Sequence, residues 1–295
     1  MKKEEKSALY EIDNMVRDTM LLLDRKGFNL FFDNFSLIMD FSPYVDRVVV
    51  GKNMRTPEHR LVFILRGAAT IDVNLERHQL RRGSLLLIPS NSIISMQELS
   101  SDYAPITLAF LSSKVESLGL MSYKSFQMQL PEPELKIMQN YCSLLDSLAR
   151  RGEVGLKSMD FLILSLLVHV QELRKLQCPE KVWSRQAKSV EVADKFLYIL
   201  NSEAPVRNVE HYARRLNVSV PYLRNAVNKY TGNSPSKWIN DRALKEVQLL
   251  LLDSDKYYSL DEIAQLTDCG SASQLIKFFK KHTGITPNAY RKKFM

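Results

Sequence analysis

The chain has 295 residues, of which 45% are hydrophobic and 25% are charged, and its formal net charge at pH 7 is +8. This composition is typical of a globular protein, and the length suggests two domains. The three cysteines, Cys142, Cys178 and Cys269, are too few and too scattered for a disulfide framework or a zinc site. We therefore expect a cytoplasmic protein in which all three are ordinary structural cysteines.

The start of the chain does not have the pattern of a targeting segment. The first six residues are strongly charged and lead into an acidic helical pattern, where a signal peptide would have an apolar core. The most apolar stretch, residues 159–170, is short and is interrupted by Asp160, Ser165 and His169. It is predicted to be a packed helix, and no membrane-spanning segment is predicted.

At about residue 27 the hydrophobic pattern changes from helical to alternating. Residues 69–75 and 106–110 alternate between apolar and polar side chains, and residues 61–65 and 85–88 are short apolar runs between turn signals. Alternation with a period of two places one face of a strand against a core. Many short strands in close succession predict a small barrel or sandwich.

One string in this region, residues 80–89 (LRRGSLLLIP), is similar to the second motif of cupin barrels. Cupin enzymes hold a metal ion with several histidines and a carboxylate, and the donors available here are Glu58, His59 and His78. Ile93, however, stands near the position where the second motif supplies a histidine. Because a stable metal site needs three or four converging donors, we expect surface or hydrogen-bonded histidines and no metal. A barrel of this kind could enclose a small molecule.

Residues 131–176 return to the helical period. Apolar residues recur at spacings of three and four around residues 135–148 and 159–170, which predicts two helices with wide apolar faces. Such helices could pack on the barrel of their own subunit, or they could pair two subunits. Residues 177–188 lose the apolar period and contain Pro179, so we predict an interdomain linker there.

The last hundred residues contain an internal repeat. The string TGNSPSKW at residues 231–238 returns 52 residues later as TGITPNAY at residues 283–290. Further upstream, Ala213 matches Ala264 at an offset that is one residue shorter. One copy therefore has an extra residue, which we place in a turn, where insertions are tolerated. Two copies of one unit imply two copies of one role.

Each copy has residues that start and stop helices. Gly232 and Gly284 stand where a helix can end in a left-handed residue, a conformation that glycine adopts without penalty. Two residues later each copy has a hydroxyl side chain that can cap a helix, followed by a proline suited to the first helical position. The predicted helices cover residues 208–216, 219–230, 235–252, 259–267 and 271–282, and the third of these joins the two copies.

A short helix, a tight turn and an exposed basic helix make a helix-turn-helix, whose second helix enters the major groove of DNA while the first braces it. The joining helix would be roughly 27 Å long at about 1.5 Å per residue. It could hold the two second helices near one turn apart on the duplex, about 34 Å. One chain would then cover two successive major grooves.

The excess of basic residues lies in the part of the chain that contains the repeat. Residues 188–295 contain 17 lysine and arginine residues against 11 aspartate and glutamate residues, whereas residues 1–187 contain 24 against 22. No acidic residue follows Asp268, but six basic ones do: Lys277, Lys280, Lys281, Arg291, Lys292 and Lys293. These cations would neutralise DNA phosphates and make binding weaken with salt, and the alternative is a solvated basic tail.

Residues 189–294 resemble the arabinose-regulator (AraC-type) transcription factors, whose C-terminal domain consists of two helix-turn-helix units joined by a long helix. The resemblance is carried by Ala213, Ser219, Tyr222, Leu223, Lys229, Gly232, Pro235, Arg242, Leu249, Leu250, Ile263, Ala264, Phe279, Lys280, Lys281, Gly284, Thr286, Pro287, Tyr290 and Arg291. Many such regulators have a cupin barrel as their sensory domain.

The resemblance implies an α+β chain. Residues 1–176 would form a cupin-like β-barrel for ligand sensing, with two packing or dimerisation helices, and residues 177–188 the linker. Residues 189–295 would form an all-α domain of two helix-turn-helix units joined by a long helix. Trp183 and Trp238 are expected to be packing anchors, because buried aromatic side chains dominate small cores.

The resemblance also implies which residues contact DNA. Base contacts correspond to Pro221, Arg224 and Asn225 in the first unit and to Ala272, Ser273, Ile276 and Lys277 in the second. Phosphate contacts are expected at Ser219, Asn228, Lys229, Lys280 and Lys281. Arg224 is the strongest candidate, because a guanidinium can donate two hydrogen bonds to one guanine.

The sequence departs from the family pattern in the second unit. The turn that usually contains Gly-Phe has Asp268 and Cys269, and the aromatic pair that usually follows is Gln274 and Leu275. Aspartate tolerates a left-handed turn, so the turn is expected to persist. Glu246 stands where the joining helix normally packs a small apolar residue, which indicates a shifted phase or a charge that reaches solvent.

The sequence therefore predicts a DNA-binding transcriptional regulator that activates transcription in response to a small-molecule effector in the N-terminal barrel. The expected partners are double-stranded DNA, RNA polymerase, the effector and a second copy of the chain, with no cofactor and no membrane. No catalytic residues are predicted, because the chain has neither a phosphate-binding glycine loop nor a nucleophile elbow. The alternatives are a cupin-type metalloenzyme fused to a DNA-binding tail and a module that binds an acidic protein.

Overall fold

The computed structural model describes residues 29–31, 35–38, 50–56, 58–110, 123–149, 151, 153–177, 187–253 and 256–294. The predicted acidic N-terminal helix and the central linker residues, with Cys178 and Trp183, lie outside these ranges. Within them, no helix is both long enough and apolar enough to span a bilayer.

Ten strands in the described ranges form two antiparallel sheets. They are β1 Asn29–Phe31, β2 Phe35–Ile38, β3 Asn53–Thr56, β4 His59–Arg66, β5 Ala68–Val73, β6 Glu76–Arg81, β7 Ser84–Ile88, β8 Ser92–Leu99, β9 Ala104–Phe110 and β10 Phe126–Gln129. The first sheet has the order β1-β2-β9-β4-β7-β10, and the second has the order β3-β8-β5-β6. The predicted α+β architecture, a barrel-like β part followed by a helical C-terminal part, is confirmed.

The central strands β4 and β7 are buried on both faces. In their antiparallel register Leu61 lies opposite Leu87, and Val62 lies opposite Leu86. Leu61 and Leu87 belong to the core beneath the helices, whereas Val62 and Leu86 belong to the core between the sheets. Strands that are covered on both sides have continuous apolar runs, which explains why these two segments did not alternate in the sequence.

Two helices cover the first sheet, α1 Glu132–Ala149 and α2 Glu153–Gln177. Their apolar stripes, which include Met138 and Leu166, form one core with the outer face of β4 and β7. The helices therefore pack within the subunit, one of the two arrangements that the sequence left open. Burial raises the pKa of the Cys142 thiol to about 12, which agrees with a structural cysteine.

The C-terminal part is helical in the described residues. Its helices are α3 Ala187–Ser202, α4 Val209–Arg215, α5 Val220–Thr231, α6 Pro235–Leu251, α7 Leu260–Leu266, α8 Ala272–Thr283 and α9 Pro287–Phe294. Gly232 and Gly284 end α5 and α8 with φ of 75° and 79°, in the left-handed conformation predicted for them. Each predicted helix of the repeat is confirmed to within two residues.

Two separate cores share the helix α6. Its first half contributes Trp238 and Ile239 to the core of α3, α4 and α5, and its second half contributes Val247 and Leu251 to the core of α7, α8 and α9. Trp238 is 3% exposed, and its Nε1 donates to the Oγ1 of Thr231 at 2.8 Å. The prediction that Trp238 is a packing anchor is confirmed.

A third face of α6 lies against the N-terminal sheets. Glu246 pairs with Arg55 of β3, and Gln248 accepts a hydrogen bond from Asn53 at 2.7 Å. Lys245 and Arg242 donate to the backbone carbonyls of Asn74 and Asn91. We call these contacts the polar interface. They account for the charged residue at position 246, because its carboxylate faces the barrel and neither helix-turn-helix core.

The two candidate histidines of the barrel are buried. The Nδ1 of His59 accepts a hydrogen bond from the backbone N–H of Ser90, and the Nε2 of His78 lies 3.0 Å from the Oγ of Ser125. Burial lowers the pKa of His78 below its usual value, so it is neutral at pH 7. They are hydrogen-bonded histidines, and the alternative of surface histidines is wrong.

Candidate DNA interface

The turns of the two units have the same left-handed geometry. Asn217 and Asp268, at equivalent positions, have φ of 52° and 51°. Asparagine and aspartate tolerate this conformation better than most residues. The prediction that Asp268 preserves the turn is confirmed.

The second unit has one additional residue in its turn. Gly270, with φ of 77°, lies between the turn and Ser271, the N-cap of α8, whereas Val218 alone separates Asn217 from Ser219, the N-cap of α5. This extra residue accounts for the one-residue change in the offset between the two copies. It leaves the helices unchanged, since α5 and α8 each have 12 residues.

A serine caps each of these two helices. The Oγ of Ser219 accepts a hydrogen bond from the backbone N–H of Tyr222, and the Oγ of Ser271 accepts one from that of Gln274. Gln274 completes a capping box, because its Oε1 accepts from the backbone N–H of Ser271 at 3.1 Å. These caps fix where each helix begins and therefore which residues form its first exposed turn.

Each helix buries one stripe and exposes the other. In α5 the buried stripe includes Leu223 and Val227, and in α8 it includes Leu275 and Phe279. Of the predicted base-contacting residues, Pro221, Arg224, Asn225, Ser273 and Lys277 are exposed, and Ala272 and Ile276 are half-buried. The structure thus brings all seven to the first two turns of α5 and α8.

The predicted phosphate-contacting residues Ser219, Asn228, Lys229, Lys280 and Lys281 are also exposed. The cap uses an acceptor site of the Ser219 hydroxyl, whose hydrogen can still be donated to a phosphate. The four other side chains lie in the second half of α5 and α8. That position suits contacts with the backbone that borders a groove.

Arg291 is a correction to the basic surface predicted from the sequence. Its side chain is buried, and its guanidinium donates to the backbone carbonyls of Leu251 at 3.0 Å and Tyr258 at 2.7 Å. It also stacks on the ring of Tyr257. Arg291 thus satisfies a carbonyl at the end of α6, which helix termini otherwise leave without a partner, and does not face DNA phosphates. Lys292 and Lys293 beside it are exposed.

An open depression lies beside the start of α5, and another lies beside the start of α8. That of the first unit has a volume of about 570 Å³ and is bordered by Lys188 and Lys195 of α3. That of the second unit has a volume of about 450 Å³ and is bordered by Arg207 and Lys277. Lys188, Lys195 and Arg207 precede the repeat, so the sequence pattern did not place them beside α5 and α8; Lys195 forms an ion pair with Glu191 of the same helix. The spacing of seven between the two lysines, which places them on one helix face, was the available signal.

A family model described as a helix-turn-helix domain matches residues 212–293. The match begins in α4 and ends in α9, so it spans both units. The C-terminal part of the chain is an AraC-type helix-turn-helix domain. Because domains of this type bind DNA, the chain is a DNA-binding regulator.

Solved structures are similar to most of the chain or to its C-terminal part. ToxT from Vibrio cholerae strain SCE256, solved with an unsaturated fatty acid, has 13% identity and a TM-score of 0.46, over 88% of this chain and 95% of that chain. The DNA-binding domain of AdpA, in complex with a target DNA, has 28% identity and a TM-score of 0.30, over 37% and 91% of the two chains. The C-terminal domain of AraT from Geobacillus stearothermophilus has 26% identity and a TM-score of 0.32, over 35% and 86%. No curated protein matches the chain.

Proposed function

We propose that both units of the AraC-type domain recognise one DNA duplex in a sequence-specific manner and that the chain thereby regulates transcription. The observation that carries the proposal is the matched pair α5 and α8. They have equal lengths, serine N-caps and glycine C-caps, and both expose a polar face. The helix α6 joins them, and its 17 residues span roughly 26 Å at about 1.5 Å per residue. That length is comparable with one turn of duplex, about 34 Å.

Replacement of Arg224 by alanine tests base recognition in the first unit. A bidentate contact with guanine contributes about 1–3 kcal/mol of discrimination, so affinity for the preferred site should fall by that amount. Preference at one base pair should disappear, while preferences elsewhere in the site persist. Sites would first be selected from random DNA with the intact chain, and affinities would then be measured by fluorescence anisotropy.

Lys281→Ala is the matched control, because it removes one exposed cation from the second unit. A phosphate contact carries no sequence information, so affinity should fall for all sequences and the slope of log affinity against log salt should become shallower by about 1. If Arg224→Ala behaved in this same way, Arg224 would be a phosphate contact. If the intact chain selected no sequence at all, the proposed function would be wrong.

We also propose that the N-terminal sheets bind a small-molecule effector and that its binding alters RNA polymerase recruitment in the cytoplasm. Support comes from the polar interface, through which β3 and two turns of the sheets contact α6 directly. An effector that shifts β3 would therefore shift the element shared by both units. Thermal-shift screening with sugars, aromatic compounds and lipids should raise the Tm for one class, and a uniformly flat result would contradict this part.

We further propose that the chain forms a homodimer through α1 and α2. The face of these helices that points away from the barrel exposes large apolar side chains: Ile137, Leu144, Phe161, Val168 and Leu176. Phe161 is 73% exposed, which is unusual for a residue of this size. Sedimentation velocity at micromolar concentration should show a dimer that Phe161→Glu converts to a monomer. A monomeric intact chain would refute the proposal.

A further inference from the structure

Arg207 lies before α4, in the first unit, yet its contacts extend into the second unit. Its backbone N–H donates to Oδ2 of Asp268 at 2.7 Å, and its Nη1 donates to Sγ of Cys269 at 3.4 Å. Its guanidinium carbon lies 4.0 Å from the centre of the Phe278 ring, a cation–π contact. Its Nη2 donates to Oδ1 of Asn240, on α6, at 3.2 Å. One residue thus contacts the turn of the second unit, its recognition helix α8 and the joining helix.

The two units need such a link because their hydrophobic cores are separate. The first core contains Trp238 and Ile239 of α6, and the second contains Ala243, Val247 and Leu251. Helices of this length curve and are seldom perfectly straight. A small bend of α6 would therefore change the direction and spacing of the two recognition helices without disturbing either core.

Arginine is suited to this position. Its planar guanidinium donates in several fixed directions and also stacks on an aromatic ring, which lysine does not reproduce. Two of the acceptors, Asp268 and Cys269, are the turn residues that depart from the family pattern. Cys269 accepts from the guanidinium, whereas Asp268 accepts from the backbone N–H of residue 207. The two turn residues therefore hold Arg207 together, one through its side chain and the other through its main chain.

We propose that Arg207 is a positioning residue that fixes the second helix-turn-helix unit relative to the first and thereby sets the spacing between the two DNA sub-sites. The inference rests on the proposed function, in which both units bind one duplex. Arg207 borders the same depression as Lys277, a predicted base-contacting residue at the start of α8. We call the contacts of Arg207 with α6, α8 and the turn of the second unit the clamp. Any movement of the clamp would therefore also move the surface around Lys277.

The test varies the DNA spacing. Insertion or deletion of one base pair between the sub-sites shifts one of them by about 3.4 Å and rotates it by about 35°. The intact chain should lose at least about tenfold in affinity for such a site, as it would for a poor base contact. Arg207→Ala should bind the original site several-fold more weakly and should discriminate between spacings by less than about threefold. Loss of stability alone would weaken binding to all three spacings equally.

Two further variants make the test specific. Arg215→Ala removes an arginine of the same unit whose partner is Glu203, also in the first unit, and it should retain the full spacing preference. Asp268→Gly removes the carboxylate that accepts from the backbone N–H of residue 207, a contact that Arg207→Ala keeps, while glycine tolerates the positive φ. Because it breaks the other half of the same link between the units, it should also relax the spacing preference. The second variant gives an answer even if Arg207→Ala fails to fold.

A measurement without DNA separates this inference from the proposed function. Spin labels would be introduced as noncanonical amino acids at the exposed positions Glu210 on α4 and Gln265 on α7, because Cys269 must stay intact. Their distance distribution should be narrow in the intact chain and in Arg215→Ala, and broad in Arg207→Ala and Asp268→Gly. Absence of sequence-specific binding by the intact chain would count against the function, and the distances would still decide on the clamp. Unchanged distances, or an unchanged spacing preference, in Arg207→Ala would overturn the clamp.

Discussion

Replacement of Glu246 by alanine is expected to separate the N-terminal sheets from α6. Its carboxylate lies between two guanidiniums, that of Arg55 on β3 and that of the buried Arg242, whose Nη2 is 3.6 Å away. Burial already lowers the pKa of Arg242 to about 10, so it is charged at neutral pH but poorly solvated. Without the carboxylate the two cations would repel each other at a site with little water.

Removing one partner of a buried ion pair costs about 3–5 kcal/mol, and we expect the lower end because Arg55 retains contact with solvent. The core of each part consists mainly of its own residues, although Leu75 and Tyr123 of the N-terminal part also pack against the core of the first unit. The expected outcome is therefore a loosened contact between the two parts. Differential scanning calorimetry should show one cooperative transition for the intact chain and two separate transitions for the variant. The affinity for DNA should persist, because α5 and α8 lie outside the polar interface.

Glu203→Ala is the matched control for this experiment. It removes a carboxylate from an ion pair with Arg215 in which both side chains are more than 40% exposed. Such surface pairs contribute at most about 1 kcal/mol, so this variant should keep a single transition near the original Tm. A single transition for Glu246→Ala as well would show that Glu246 is not needed to join the two parts and that other contacts, such as those of Tyr123 and Lys124 with α3 and α5, are sufficient.

The second large effect is expected for Trp238→Ala. The indole is nearly fully buried among α3, α5 and α6, and truncation of a buried tryptophan costs about 3–5 kcal/mol. The cost should be local, because the core of the second unit contains no part of this side chain. Hydrogen exchange in α4 and α5 should accelerate by about two orders of magnitude or more, since each 1.4 kcal/mol is a factor of about ten. Exchange in α7 and α8 should change little.

Trp238→Phe refines the interpretation. It keeps most of the ring but removes the N–H that donates to Thr231, at a cost of about 1 kcal/mol for one hydrogen bond. The Thr231 hydroxyl stays satisfied, because it also donates to the Val227 carbonyl at 2.8 Å. Equal acceleration of exchange throughout both units after Trp238→Ala would contradict the separation of the two cores.

The helices of the repeat could be predicted because their boundaries are determined by nearby residues. Ser219, Ser271, Gly232 and Gly284 satisfy or terminate helix ends through contacts within three or four positions along the chain. The exposed faces followed from the same periodicity, whereas the seven base-contacting positions on them were implied by the resemblance to the AraC-type family. Whether they contact bases remains a prediction.

The remaining features depend on contacts between distant parts of the chain. Glu246 pairs with a strand almost two hundred positions earlier, and Arg207 contacts a turn about sixty positions later. No local pattern encodes such pairings. Arg291 was assigned to the basic surface by its charge, although its position after Tyr290 turns it toward the end of α6, where carbonyl groups accept its hydrogen bonds. The order of the strands in the two sheets could not be predicted for the same reason.

The equal length, serine N-caps and glycine C-caps of α5 and α8 make their outer surfaces interchangeable, apart from the capping box that Gln274 forms in α8. A side chain that replaced hydrogen at Gly232 or Gly284 would meet no atom within 4 Å, so these glycines are required by backbone conformation alone and impose no demand on neighbouring side chains. The outward residues of one helix could therefore be transplanted onto the other while its inward stripe stays in place. Such a chimera would carry the same chemical face twice and would favour a direct repeat of one DNA sub-site, so the target of this scaffold could be changed one helix at a time.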